Sequence, residues 1–437
     1  MSQRCASMRG SVQPFAGRSI CWLAAGVVWL VGADSSALLA DDWHGFLGPD
    51  RNGVSSETSL VDEWSEDGPP ELWRVPGGIG MSGIAIVDAV AVTLVQDNER
   101  QWALALDLRD GKTLWRTDLA PAYENQMGNG PRATPTIDGD RVFVLTGEGI
   151  LVALDRADGR ERWRRDLVSD TSGAIADYGM ASSPLVVGDR VIVTVGSEGG
   201  MVVACDRSTG AIVWNSGSDR AGYSSPVVRR LGAGDAATER LIVFSATKVS
   251  ALDPVTGQES GSFPFETPYD CNIAAPVEID GKLLISAGEN HGSVLLQGAP
   301  SPDEPSSLDF SVVWESLGPR SSLRSEWQTP LLVDGLLYGF DNVGSAGPVT
   351  HLTCIDPATG VMKWRQERFG KGNAVAADGK LFATTMAGEL VLIAATGEGY
   401  RELGRATVHA GTRQAPALSN GILLIRDDSE VIAFCLL

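Results

Sequence analysis

From residue 71 onward, apolar residues come in short β-branched runs cut by Gly and Asp. One unit shows the pattern. Residues 183–187 read as a first strand, and Gly188-Asp189 turns the chain. Residues 190–195 alternate into a second strand, 201–205 make a third and 211–214 a fourth, each after a turn rich in Gly or Asp. Such runs between turn residues predict hairpins, and four in succession predict a meander sheet.

The unit repeats. A phrase of Ala-Leu-Asp, three residues, Gly, three residues and Trp runs from Ala105-Leu106-Asp107 through Gly111 to Trp115. It returns at Ala153-Leu154-Asp155, Gly159 and Trp163, and at Ala204-Cys205-Asp206, Gly210 and Trp214. A fourth copy, Ala251-Leu252-Asp253 to Gly257, has Gly261 in the Trp place, and a later one runs Cys354-Ile355-Asp356, Gly360, Trp364. A fixed period means one supersecondary unit used repeatedly, as in a propeller. Trp73, Trp115, Trp163, Trp214, Gly261, Trp314 and Trp364 lie 42 to 53 residues apart, and Leu403 takes the next equivalent place.

First strands begin near Thr134-Pro135, Ser183-Pro184, Ser225-Pro226, Ala275-Pro276, Thr329-Pro330, Asn373-Ala374 and Ala415-Pro416, with Ser82-Gly83 as an eighth member. The count predicts an all-β, eight-bladed β-propeller of four-stranded antiparallel blades. The last unit stops after three strands, and Glu71-Leu72-Trp73-Arg74 supplies the missing one. An N-terminal strand therefore completes the C-terminal blade, which removes open sheet edges.

The phrase has a physical reason. Asp accepts hydrogen bonds from N–H groups two and three residues on, Gly supplies a positive φ, and Trp wedges between sheets. Repetition in every blade gives these Asp residues a structural task rather than a catalytic one. The irregular pieces, residues 41–70, 231–240, 298–308 and 342–351, read as surface loops. The domains are then a targeting segment (1–40), an N-terminal arm (41–70) and the propeller (71–437).

Charge and composition narrow the partners. A net charge of −20 repels phosphate backbones, so nucleic acid is excluded as a partner, and anionic membrane surfaces are disfavoured. Arg4, Arg9 and Arg18 precede an apolar stretch at 19–33, and small residues follow at Ser35-Ser36-Ala37 and Ala40. This order predicts a secretory signal cleaved after Ala37 or Ala40, hence a periplasmic or secreted protein with no transmembrane segment in its mature form. Cys205, Cys271, Cys354 and Cys435 form no adjacent or Cys-x-x-Cys pair. Cys205 and Cys354 sit in apolar slots of the phrase, as buried thiols do. His44, His291, His351 and His409 are scattered, without zinc spacing or a nucleophile partner.

The repeated Ala-x-Asp-x-x-(Thr/Asp)-Gly-x-x-x-Trp phrase, with Thr209-Gly210, Thr256-Gly257 and Thr359-Gly360, resembles the quinoprotein (PQQ-like) propeller repeat over residues 71–437. Two branches share it. One comprises the pyrroloquinoline quinone (PQQ) dependent alcohol dehydrogenases. The other is the non-enzymatic BamB propeller of the outer-membrane β-barrel assembly machine. The arm, Trp43-His44-Gly45-Phe46-Leu47-Gly48-Pro49-Asp50-Arg51-Asn52-Gly53-Val54, resembles the leader of secreted PQQ-like repeat proteins. In the enzymes, the resemblance implies PQQ on the ring axis between a Trp floor and a disulfide of adjacent cysteines, with calcium on Glu, Asn and a nearby Asp. This chain has neither adjacent cysteines nor a Cys-x-x-Cys-His haem motif.

Loops entering the first strands line one mouth of the ring. They present Asn129, Arg132, Tyr178, Tyr223, Asp270, Asn272, Glu326, Trp327, Asn373 and Arg413. The oxygens of Asp270 and Glu326 are the candidate ligands for a hard cation such as Ca²⁺. Asn129, Arg132, Tyr178, Tyr223, Asn272, Trp327, Asn373 and Arg413 are the candidates for holding a planar ligand, with the aromatics available for stacking. The function expected is a monomeric ring that binds envelope or secreted proteins as a scaffold and requires no cofactor. The alternative is a PQQ- and Ca²⁺-dependent dehydrogenase acting on an alcohol or sugar.

Overall fold

A computed structural model describes residues 42–437, apart from positions 198, 233, 235, 236, 305 and 346. The expected targeting segment, 1–40, lies outside the described residues. Strands come in eight four-stranded antiparallel sheets, seven of them in sequential order and the eighth joining the first strand to the last three. Blade 1 consists of Ile84–Val87, Val90–Gln96, Arg100–Asp107 and Thr113–Pro121. Blades 2 to 7 span residues 136–166, 185–216, 227–264, 277–317, 331–366 and 372–407. Blade 8 joins Ala417–Ser419, Ile422–Arg426 and Glu430–Cys435 to Glu71–Pro76, with Trp73 opposite Ala433 and Val75 opposite Val431. The predicted closure by the N-terminal strand is therefore present. First strands of neighbouring blades touch one another, so they line the axis.

Apolar clusters fill the spaces between blades. Ala85, Leu94 and Trp115 of blade 1 pack on Ile137, Val144 and Val152 of blade 2. Each inner strand is thus buried on both faces, which explains near-continuous apolar runs such as Ile84-Ala85-Ile86-Val87. The closure carries a polar bolt as well. Arg426, 1% exposed, donates to the carbonyls of Gly78, Ser82 and Leu94 and to the Thr93 hydroxyl. Burial lowers its pKa to about 10, so it remains a cation at neutral pH.

The phrase is a joint between blades. Trp115 donates its indole N–H to the carbonyl of Arg156 in blade 2 at 2.9 Å, and Trp163 donates to Arg207 of blade 3 at 3.0 Å. Each ring lies against the phrase Gly of the next blade. A Cβ on Gly159 would meet Trp115 at 2.5 Å, and one on Gly210 would meet Trp163 at 2.6 Å. These glycines have φ between +71° and +74°, a second reason for the residue type. Asp206 accepts from the N–H groups of Ser208 and Thr209 at 3.0 and 2.8 Å, as its place in the turn predicted. Asp206→Ala should cost about 1 kcal/mol, read as a lower urea midpoint with an unchanged slope.

Two joints lack a Trp, and each is filled differently. A Cβ on Gly261 of blade 4 would stand 2.2 Å from the carbonyl of Leu308, so the outer strand of blade 5 occupies that slot. Residues 298–300 and 308, expected as loop, pair as strand: Gly292–Pro300 and Leu308–Leu317 form one extended hairpin. In blade 7 the register puts Gly404, not Leu403, at the Trp place. Leu392 pairs with Gly404, and a bulge follows before Ile393 pairs with Glu402. The slot over Gly404 holds Trp64 of the arm, whose Cδ1 lies 2.5 Å from where a Cβ would be.

The arm, residues 42–70, is therefore no surface loop. Trp43, Leu47 and Leu60 are buried. Its main chain uses the free edges of inner strands: the N–H groups of Ile86, Ile137 and Ala376 donate to the carbonyls of Trp43, His44 and Gly53 at 2.7 to 2.8 Å. Arg51 reaches the carbonyls of Ser183 and Pro184, and Arg229 holds those of Asp50 and Arg51. Blades 1 to 4 and 7 are thereby tied together by one segment.

Histidine burial sets a pH response. His291, His351 and His409 all have pKa values lowered by burial. His409 is 8% exposed, with Asp427, Glu389 and Arg74 around it. Below the unfolded pKa of about 6.5 the unfolded chain binds more protons than the folded one. Stability present above that pH is lost as pH falls through it. Melting temperature should drop between pH 7.5 and 5.5, and His409→Gln should flatten the slope.

Candidate functional site

The loops entering the first strands surround an axial cavity of about 380 Å³. Of the ten predicted residues, Arg132, Tyr178, Tyr223, Glu326, Trp327, Asn373 and Arg413 line it. Its floor is the arm, through Trp43, Gly45, Phe46 and Leu47. The ring has an axial mouth whose far side is stoppered by the chain's own leader.

Three predicted residues lie apart. Asn272 is fully buried, and its amide donates to the carbonyls of Ser245, Ala246 and Phe265 at 2.7 to 3.1 Å. Asn129 is exposed and accepts from the N–H of Asn125 at 3.0 Å. Asp270 is ion-paired with Arg220 at 2.7 Å, although burial raises its pKa. A loop Asn that satisfies its own turn is indistinguishable in sequence from one that faces a ligand.

Within the cavity the side chains are already paired. Lys371 Nζ lies 2.7 Å from Glu326 and 4.4 Å from the Trp327 ring centroid. The Arg413 guanidinium stands 5.0 Å from the same ring. Tyr178 and Tyr223 stack with centroids 5.6 Å apart, and the Tyr178 N–H donates to the Tyr223 hydroxyl at 3.3 Å. Burial raises the pKa of both phenols. It also pushes the thiol of Cys271, a further wall residue, up to about 12, with Glu289 and Glu326 adding to the effect. That thiol stays protonated at neutral pH and is a poor nucleophile.

Glu326 and Trp327 are held from below. Arg324 makes a two-pronged ion pair with Asp341 at 2.7 Å, both nearly inaccessible, and Arg365 adds a third contact at 3.0 Å. Asn342 donates through its main chain and amide to the Arg324 carbonyl at 3.0 Å. The inner hairpin of blade 6 thus clamps the loop that carries the two mouth residues.

Sequence reasoning missed several wall residues. Glu289 and Ser345 come from turns between second and third strands, which share the mouth with the loops considered. Lys371, which pairs with Glu326 without lining the cavity itself, lies two residues before Asn373, and the same loop rule reaches it. Phe46 and Leu47 carried no signal, because the arm has no strand alternation.

These residues do not fit a PQQ–calcium pair. Asp270 and Glu326 are each neutralised by a protein cation, and two cations already crowd the Trp327 ring. Among the described residues no group of three or more His, Cys, Asp or Glu is placed to hold a metal ion.

Comparison with known proteins agrees with the fold. A family model described as outer membrane protein assembly factor BamB matches residues 99–299 and 349–435, more than half of the chain. BamB of Yersinia pestis is 22% identical over 404 residues, covering 91% of this chain and 85% of that protein. Among solved structures, quinohemoprotein alcohol dehydrogenase from Comamonas testosteroni superposes with a TM-score of 0.64 at 15% identity, over 90% of this chain and 80% of that one. BamB from Moraxella catarrhalis gives 0.56 at 16% identity, over 84% and 97%. The structural likenesses bear on fold alone, since one fold hosts both an oxidoreductase and an assembly factor. The repeat phrase, the eight blades and the family match together place this chain in the PQQ-like repeat family of the outer membrane protein assembly factor BamB.

Proposed function

We propose that the protein is a periplasmic or secreted scaffold that binds envelope proteins through the mouth of its ring. The observation that carries this reading is the state of the mouth. Glu326 and the neighbouring Asp270 are ion-paired within the chain, the Trp327 ring is covered by cations, and the floor is the protein's own arm. Such a mouth offers a shaped polar-and-apolar surface rather than an open coordination site. Its relatives include an outer membrane protein assembly factor, which supports the same direction.

The alternative, a PQQ- and Ca²⁺-dependent dehydrogenase, is separated by a direct titration. PQQ and Ca²⁺ are added to the full chain while cofactor absorbance and dye reduction with alcohols are followed. The scaffold reading expects no stoichiometric binding and no turnover, together with reproducible crosslinking to one envelope protein. Stoichiometric PQQ with turnover would overturn it.

A further inference from the structure

We propose that the mouth receives an acidic side chain presented by an apolar segment of a partner protein, with the carboxylate seated between Arg132 and Arg413. The inference rests on the scaffold reading and names the chemistry of its partner.

Both guanidiniums grip one loop. Arg132 donates to the carbonyls of Gly128 and Gly130, and Arg413 donates to that of Met127. Neither has a carboxylate within ion-pair distance among the described residues, in a chain whose net charge is −20. Arg132 is 9% exposed and lines the cavity. The buried Arg132 guanidinium, bonded to neutral carbonyls and lying 4.9 Å from the Tyr123 ring centroid, keeps much of its desolvation cost, and an incoming carboxylate offsets that cost with charge-assisted bonds. Because the loop already fixes both side chains, little ordering is left for binding.

The surroundings select what carries the carboxylate. Met127, Tyr269 and Met386 stand on mouth loops 40%, 64% and 41% exposed. Large apolar groups rimming a charged pocket mark a protein contact rather than a solvated surface. Charge sets the direction of entry. The two arginines lie on the loops entering blades 2 and 8, whereas Glu289 lies on a turn of blade 5 and Glu326, on the loop entering blade 6, is neutralised by Lys371. The arm closes the floor, so the occupant enters and leaves by one end, as the tip of a loop does. A cavity of about 380 Å³ lies at the small end of the usual range for ligand sites, which suits a few side chains.

The test uses the full chain and two capped peptides, Ac-Ala-Phe-Asp-Phe-Ala-NH₂ and its Asn counterpart, measured by calorimetry at low salt. The Asp peptide should bind at least about tenfold more tightly than the Asn peptide. Arg413→Gln should abolish that difference, and Arg413→Lys should keep part of it. Arg132→Gln should act likewise. If it fails to fold because the loop is released, Arg413→Gln decides alone. Equal affinities, or no Asp-peptide binding, overturn the proposal. Competition by 3-phenylpropionate as strong as that of the peptide also overturns it, in favour of a small carboxylate ligand. Crosslinking to an envelope partner that Arg413→Gln leaves intact sinks this site while sparing the scaffold reading. Asp-selective peptide binding without any crosslinked partner does the reverse.

Discussion

Gly404→Trp should destabilise the ring more than removing the tryptophan it would mimic. The joint between blades 7 and 8 is one of the two where the repeat does not build its own wedge. Blade 8 takes its fourth strand from the N-terminus, so no phrase turn crosses from its third strand to its fourth. Trp64 of the arm fills the gap, packed over Gly404 and 6.3 Å from the Phe382 ring. Among the described residues its buried indole N–H has no partner, unlike those of Trp115 and Trp163. The ring is thus held by shape alone. Trp64→Phe should cost under about 1 kcal/mol, whereas Trp64→Ala should cost about 3 kcal/mol through the cavity it leaves. Gly404→Trp alone forces two rings into one slot and should expel the arm, exposing it to protease. The double variant Trp64→Ala with Gly404→Trp should recover most of the loss, because the new ring takes the empty slot. Chemical denaturation of the four proteins measures this, and additive losses in the double variant would contradict the slot.

This joint also shows where the sequence stops being legible. Asp, Gly and Trp recur because each solves the same local problem, and local problems are written in adjacent residues. The blade count and the ring closure followed from that. The Trp place moves from Leu403 to Gly404 because the turn before it is longer: the Ala394 N–H bonds the carbonyl of Arg401, whereas Asp107 bonds that of Lys112, and the bulge itself is the one the phrase hairpins share. Trp64 lies 340 positions from the glycine it covers, and nothing near it repeats. Gly261 is the same case, since its slot is filled by a strand extension that read as a Pro- and Ser-rich loop. The mouth was legible at the level of which loops converge, and the blade period alone gave seven wall residues. Whether a side chain there faces the axis or serves its own turn, as Asn272 does, depends on carbonyls from distant turns.

Asp341→Ala should be the most damaging single change near the mouth, although Asp341 itself lines no part of the cavity. Its two oxygens hold Arg324 at 2.7 Å each, and the pair is 0% and 2% exposed. Removing the carboxylate leaves a guanidinium buried and uncompensated, with only the Pro319 carbonyl at 2.8 Å and the more exposed Arg365 as a like charge nearby. Breaking one side of such a pair costs about 3–5 kcal/mol, while replacing both sides by apolar groups is often neutral. Asp341→Leu combined with Arg324→Met should therefore be more stable than Asp341→Ala alone. Function need not follow stability. Arg324 precedes Ser325, Glu326 and Trp327, and its carbonyl is held by Asn342, so the ion pair fixes the backbone that aims the mouth residues. The apolar double variant should fold yet release Trp327 from its cation contacts, seen as a shift in tryptophan fluorescence. A double variant with native fluorescence and native partner crosslinking would show that the pair acts on stability alone, and that hydrogen bonds from Asn342 suffice to position the site.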